Sequence, residues 1–194
     1  TLGADVLLGG ITNETVSGLD GSDLISGGGG NDTLSGGLND LATDVFQWSF
    51  ADRGTAVTPA VDTIPDFSTA AAASGGDVLD LRDLLQGEHS GNLVNYLHFE
   101  KSGSETLVHI KSAGATGSED QTVVLQGVDL YAAAGVGIGA IVGDVIGRAA
   151  SNAGDDAYPK QTTRNRSAHR ITSPQSSSAS PSQTPLPVLS SPCA

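Results

Sequence analysis

The chain has 194 residues, with 22 Asp and Glu against nine Lys and Arg, a formal charge of -13. The imbalance lies in residues 1–147, which carry 20 acids and four bases, and it reverses in 148–194, with two acids and five bases. So acidic a main body argues against nucleic acid and anionic membranes as partners, and the single Cys193 provides no disulfide framework.

Residues 9–44 repeat with a period of nine: GGITNETVS, GLDGSDLIS, GGGGNDTLS, GGLNDLATD. Each frame opens on a glycine, at Gly9, Gly18, Gly27 and Gly36. An acid stands five places on, at Glu14, Asp23 and Asp32, with Asp5 in the same phase upstream. Two places after each acid comes an aliphatic residue: Leu7, Val16, Ile25 and Leu34. This is the nonapeptide of a parallel β-roll that binds calcium in its turns. The glycines allow tight turns, and the aliphatic residue centres a very short strand whose side chain stacks inward. Two nonapeptides make one coil, so Asp5 lies over Asp23 on one edge and Glu14 over Asp32 on the other. Stacked carboxylates and turn carbonyls create a negative potential that a hard, oxygen-ligated cation relieves, and variable geometry with many oxygens favours Ca2+ over magnesium. The expected metal site comprises Asp5, Glu14, Gly18, Asp20, Gly21, Asp23, Gly27, Gly29, Gly30, Asp32, Gly36 and Asp40. In the fourth frame Leu41 occupies the acid position, leaving Asp40 or Asp44 to close the last site. The repeat is already running at Thr1, so the chain reads as the downstream end of something longer.

After residue 44 the pattern changes to a β-rich segment, 45–130, expected to close a small core of its own. Residues 45–49 alternate as a strand around the only Trp, Trp48. A polar loop runs over 52–60, and 62–67 reads as an edge element because Pro65 cannot donate to a ladder. Residues 68–76 read as loop, and 77–85 as a strand followed by a short helix ended at Gly87. Two strands, 92–100 and 105–112, flank a turn at 101–104, and 121–127 is a further strand. Asp77, Asp80 and Asp83 recur every three residues and read as capping, solvating or side calcium residues. His98 and His109 fall on adjacent strands, where a solvated polar face accounts for them better than a metal pair. There is no G-x-S-x-G or H-E-x-x-H, and no catalytic constellation stands out.

Within the apolar, Gly-rich segment 131–150, residues 132–147 are small and aliphatic, too short for a membrane span and interrupted by Asp144. From 151 to 194 the chain is basic and Ser/Pro-rich, with six of its eight prolines between Pro159 and Pro192, and is expected to be disordered. The fold class expected is therefore all-β: a parallel β-roll over 1–44, a small β-rich segment and a disordered tail.

The nonapeptides resemble the RTX family of calcium-binding proteins, which type I secretion systems export from Gram-negative bacteria. The segments GTAVTPAVDTIPDFS, GGDVLDLRDLLQGE, NLVNYLHFEKSGSETLVHI and DQTVVLQGVDL resemble, in that order, the C-terminal secretion-target region of large RTX adhesins that hold cells to surfaces in biofilms. The resemblance covers about residues 1–130. It implies export through an inner-membrane ATPase, an adaptor and an outer-membrane channel, and folding at the cell surface or outside on meeting calcium. It also implies no enzymatic activity; separately, no transmembrane segment is expected and the fragment is expected to be monomeric. The stretch after Leu130 departs from the apolar, acid-flanked signal of that family. The alternative is the calcium-binding export domain of an RTX protease or lipase whose catalytic domain lies upstream.

Overall fold

In the computed structural model the described residues are 1–38, 41–70, 74–89 and 92–130. The apolar stretch 131–150 and the tail 151–194 lie outside them, as does Asp40. Ten strands follow in order: β1 Val6–Leu8, β2 Thr15–Ser17, β3 Leu24–Ser26, β4 Thr33–Ser35, β5 Val45–Gln47, β6 Ala60–Ile64, β7 Val78–Asp80, β8 Leu97–Ser102, β9 Glu105–Ile110 and β10 Gln121–Leu125.

The strands alternate between two sheets, as a coil of two strands and two turns requires. One sheet has the order β1-β3-β5-β7 and is parallel throughout. The other has the order β2-β4-β6-β10-β9-β8; its first four strands are parallel, and β10, β9 and β8 form an antiparallel meander. Register follows the 18-residue coil through the repeats, with Leu7 beside Ile25 and Val16 beside Leu34. Side chains of period two then send one residue per short strand inward. On the first sheet Leu7, Ile25, Phe46 and Leu79 stand in a row; on the second, Ile64 neighbours Leu125. Burial of the rungs is graded: Ile25, Leu34, Phe46, Ile64 and Leu79 are fully buried, whereas Leu7 and Val16 are only partly so.

Several expectations are corrected. Both sheets cross residue 44, and one cluster of buried side chains runs from Ile25 to Leu130, so the segment after the repeats shares its core with them. Also, β6 is not an edge strand: it lies between β4 and β10. Pro65 falls one residue past its end, and Ile64 O accepts the Gln126 N–H at 2.9 Å, so the missing proline donor costs the ladder nothing. The helix expected before Gly87 is a run of turns, and the strand expected from residue 92 begins only at Leu97, after a 3-10 turn over Leu93–Asn95. The turn expected at 101–104 narrows to Gly103 and Ser104, which join β8 to β9 with Gly103 at φ +64°.

Candidate metal centre

The turns of the roll lie along two edges, and seven acids at matching register are linked there in a common way. On the first edge the Asp5 N–H donates to Asp23 Oδ1 at 2.8 Å, Asp23 N–H to Asp44 Oδ1 at 2.9 Å and Asp44 N–H to Asp77 Oδ1 at 3.0 Å. On the second, Glu14 N–H donates to Asp32 Oδ1 at 2.8 Å and Asp32 N–H to Asp62 Oδ1 at 2.7 Å. One carboxylate oxygen of each acid thus ties its coil to the coil before it. The carbonyls of the same residues continue the parallel ladders: Leu24 N–H reaches Asp5 O, Val45 N–H Asp23 O, and Val78 N–H Asp44 O.

The other oxygen is the chemically telling one. Asp23 and Asp32 are each only 2% exposed, and their Oδ2 atoms are buried without a hydrogen-bond partner. Each leans over the glycine that opens its frame: a methyl at Gly18 would stand 2.1 Å from Asp23 Oδ2, and one at Gly27 the same 2.1 Å from Asp32 Oδ2. Gly36 backs Asp44 Oδ2 in the same way, again at 2.1 Å. The opening glycine is therefore set by space, because the carboxylate occupies the place of its side chain. A second requirement falls on Gly28, which takes φ +86° and would set a methyl 2.1 Å from the Gly10 carbonyl of the coil beneath. A buried, unpaired carboxylate oxygen costs about 1–3 kcal/mol, and more when ionised. Burial accordingly raises the Asp32 carboxyl above its usual range, with the charges of Glu14 and Asp52 adding to the effect.

Hard oxygen donors, buried charge and adjoining turn carbonyls fit Ca2+. In this roll Asp23 and Asp32 would be the carboxylate ligands, and the ion would supply the positive charge their outer oxygens lack. Among the described residues no group of three or more His, Cys, Asp or Glu side chains is arranged to hold a metal ion.

The remaining expected ligands divide. Asp5 has the ladder geometry in its backbone, and its carboxylate Oδ2 accepts the Thr1 hydroxyl at 2.6 Å. Glu14 differs from the aspartates: its extra methylene lets the carboxylate fold back on its own turn, accepting the Thr12 hydroxyl and the Gly10 N–H. Those bonds, the Thr12 one first, hold its carboxyl below the usual range. Gly21, at φ +124°, and Gly30, at φ +129°, stack over Gly3 and Thr12 of the coil beneath. Gly29 donates its N–H to Gly10 O at 3.0 Å, and a methyl there would make only ordinary contacts, with Asp52 O at 3.6 Å nearest. Asp20 is exposed and lines a shallow cavity of about 260 Å³ with Leu19, Gly37 and Leu38, outside both ladders.

Asp62 and Asp77 were missed as ladder residues, and Asp44 takes the place that sequence left open between it and Asp40. Their signal is an acid one position before a strand residue in register with the repeats, at Val45, Thr63 and Val78. Burial pushes both Asp62 and Asp77 up to about 6. Elsewhere, His98 and His109 stand opposite each other with ring centroids 5.8 Å apart. Both His109 nitrogens already face carboxylates, Glu119 at 2.8 Å and Glu100 at 3.2 Å, which is the polar surface expected of this face.

Residues 8–40 match the model of the RTX calcium-binding nonapeptide repeat family, in four copies. No curated protein matches the chain. Among solved structures, the AlgE6R3 subunit of the Azotobacter vinelandii mannuronan C5-epimerase is similar at 21% identity, covering 90% of this chain and 93% of that one, with a TM-score of 0.48. The AlgE6R2 subunit of the same epimerase is similar at 25% identity, covering 62% and 83% respectively, with a TM-score of 0.33. Among the described residues no helix is long and apolar enough to cross a membrane.

Proposed function

We propose that this chain, an all-β roll with RTX-type calcium-binding repeats, is a non-enzymatic folding switch at the C-terminal end of a large extracellular adhesin. In this reading it leaves a Gram-negative cell through a type I exporter while calcium is scarce, and it folds outside where calcium is abundant. The observation that carries the reading is the pair of buried, unpaired Oδ2 atoms of Asp23 and Asp32. An ion that binds only the folded chain stabilises it by linkage, and the deficit of positive charge in the repeats is what makes folding wait for it. The glycine-rich turns add a large entropic cost to ordering without the ion.

The test has two arms. Far-UV circular dichroism of the full chain should show a gain of β-signal on calcium titration from chelator, with amide protection appearing over residues 15–35. Repeats fully protected in excess chelator would reject the switch. In the second arm the chain is fused behind a passenger and expressed with the ATPase, adaptor and outer-membrane channel of a type I system. Passenger retained in cells that export an RTX control would reject the secretion role and leave calcium folding standing.

A further inference from the structure

The outer carboxylate oxygen is unpaired at Asp23 and Asp32 and filled at Asp62 and Asp77. Asp62 Oδ2 accepts the Trp48 indole Nε1–H at 2.6 Å and the Gln121 side-chain Nε2–H at 2.8 Å, while Oδ1 accepts Asp32 N–H at 2.7 Å. All three partners are interior: Asp62 and Trp48 are 1% exposed and Gln121 is fully buried. On the other edge the last acid is treated alike, since Asp77 Oδ2 accepts Ser68 N–H at 2.8 Å. The position beside Asp62 on β10 is Val123, so that ladder has no further acid to satisfy.

We propose that the Trp48–Asp62–Gln121 clasp takes the place of a calcium ion at the end of the second ladder, giving the roll an ion-independent terminus against which the repeats coil. This rests on the reading of Asp23 and Asp32 as calcium ligands. A carboxylate that accepts three N–H bonds is held without a cation, because charge-assisted hydrogen bonds supply what the ion supplies elsewhere. The donors come from the residue after β5 and the first residue of β10, both beyond the repeats, and the clasp ties them to β6. Asp62 Oδ1 in turn holds the Asp32 backbone, so an ordered clasp sets the next carboxylate of the ladder in place before any ion arrives. Coiling then runs from Asp62 toward Thr1, in the direction in which the rungs become less buried, from Leu34 to Val16. Trp48 and Gln121 are positioning residues, and Asp62 is a ladder residue that takes no ion.

The experiment uses the full chain, calorimetry with calcium chloride, and the fluorescence of Trp48, the only tryptophan. In chelator the indole should already emit as a buried one and resist quenching, while amides over 15–35 exchange freely. Trp48→Phe should keep the wild-type number of bound ions and raise the calcium midpoint, read by circular dichroism, by about tenfold, equivalent to about 1.4 kcal/mol. Gln121→Leu gives the same two readings should Trp48→Phe fail to fold. Asp32→Asn should lose an ion. Loss of an ion in Trp48→Phe or Gln121→Leu, or an indole exposed in chelator and buried only with calcium, overturns the clasp and leaves the calcium sites standing. A wild-type chain that binds no calcium overturns both.

Discussion

The four-glycine run at 27–30 supports a test in which neighbouring substitutions have opposite signs. Gly27→Ala places a methyl 2.1 Å from Asp32 Oδ2 and 2.7 Å from its Cγ, closer than real contacts allow. Asp32 cannot swing away without giving up its bond to the Glu14 N–H and its place beside the turn. Such overpacking costs roughly 1–3 kcal/mol. At Gly29 the nearest atom to a methyl is Asp52 O at 3.6 Å, an ordinary contact, and the N–H bond to Gly10 O is one an alanine keeps. There the substitution acts mainly by restricting the unfolded chain, a gain of about 0.4–1 kcal/mol. Urea unfolding in saturating calcium, followed by circular dichroism, reads both. With a slope of about 1–3 kcal/mol per molar, Gly27→Ala should lower the midpoint by about 1 M and Gly29→Ala should raise it by a few tenths. Equal losses at the two positions would refute the packing of Asp32 over Gly27 and reduce the run to generic flexibility.

Other outcomes follow from the same geometry. Asp23→Ala and Asp32→Ala should each weaken calcium binding at least tenfold by calorimetry, while Asp20→Ala, exposed and outside the ladders, should change it less than about threefold. Leu19 holds φ +75°, where a side chain costs about 1–2 kcal/mol and glycine adds about 0.5–1 kcal/mol of entropy on folding, so Leu19→Gly should raise the calcium-bound melting temperature slightly. In chelator, Asp62 and Asp77 have carboxyls raised to about 6, so the folded chain holds their protons more tightly than the unfolded one. Their contribution is full below the unfolded value of about 3.9 and is lost as pH rises through about 6, by roughly 3 kcal/mol each. Any structure that persists in chelator should therefore grow more stable to urea on acidification from pH 7 to pH 5, and a fall over that range would contradict the assignment.

The repeats were legible because one period encodes the whole coil. An acid, an opening glycine and an aliphatic residue held at 18-residue separation specify register, edge and rung together, and Asp5–Asp23 and Glu14–Asp32 pair as that spacing requires. Beyond Asp32 the coil persists while the spacing fails. The ladder separations grow to 21 at Asp23–Asp44, 30 at Asp32–Asp62 and 33 at Asp44–Asp77. Loop closure grows only slowly in cost with length, so turns of very different size can join strands that stack alike. What survives the insertions is local: an acid immediately before a strand residue that takes the repeat's register. Glu14 shows the converse, a residue in perfect phase whose longer side chain turns back to Thr12 and Gly10. Sequence period thus locates coils, while in the proposed reading hydrogen-bond valence decides which carboxylates need an ion. Asp23 and Asp32 keep an oxygen with no donor, and Asp62, out of phase and farther along the chain, has donors enough to do without one.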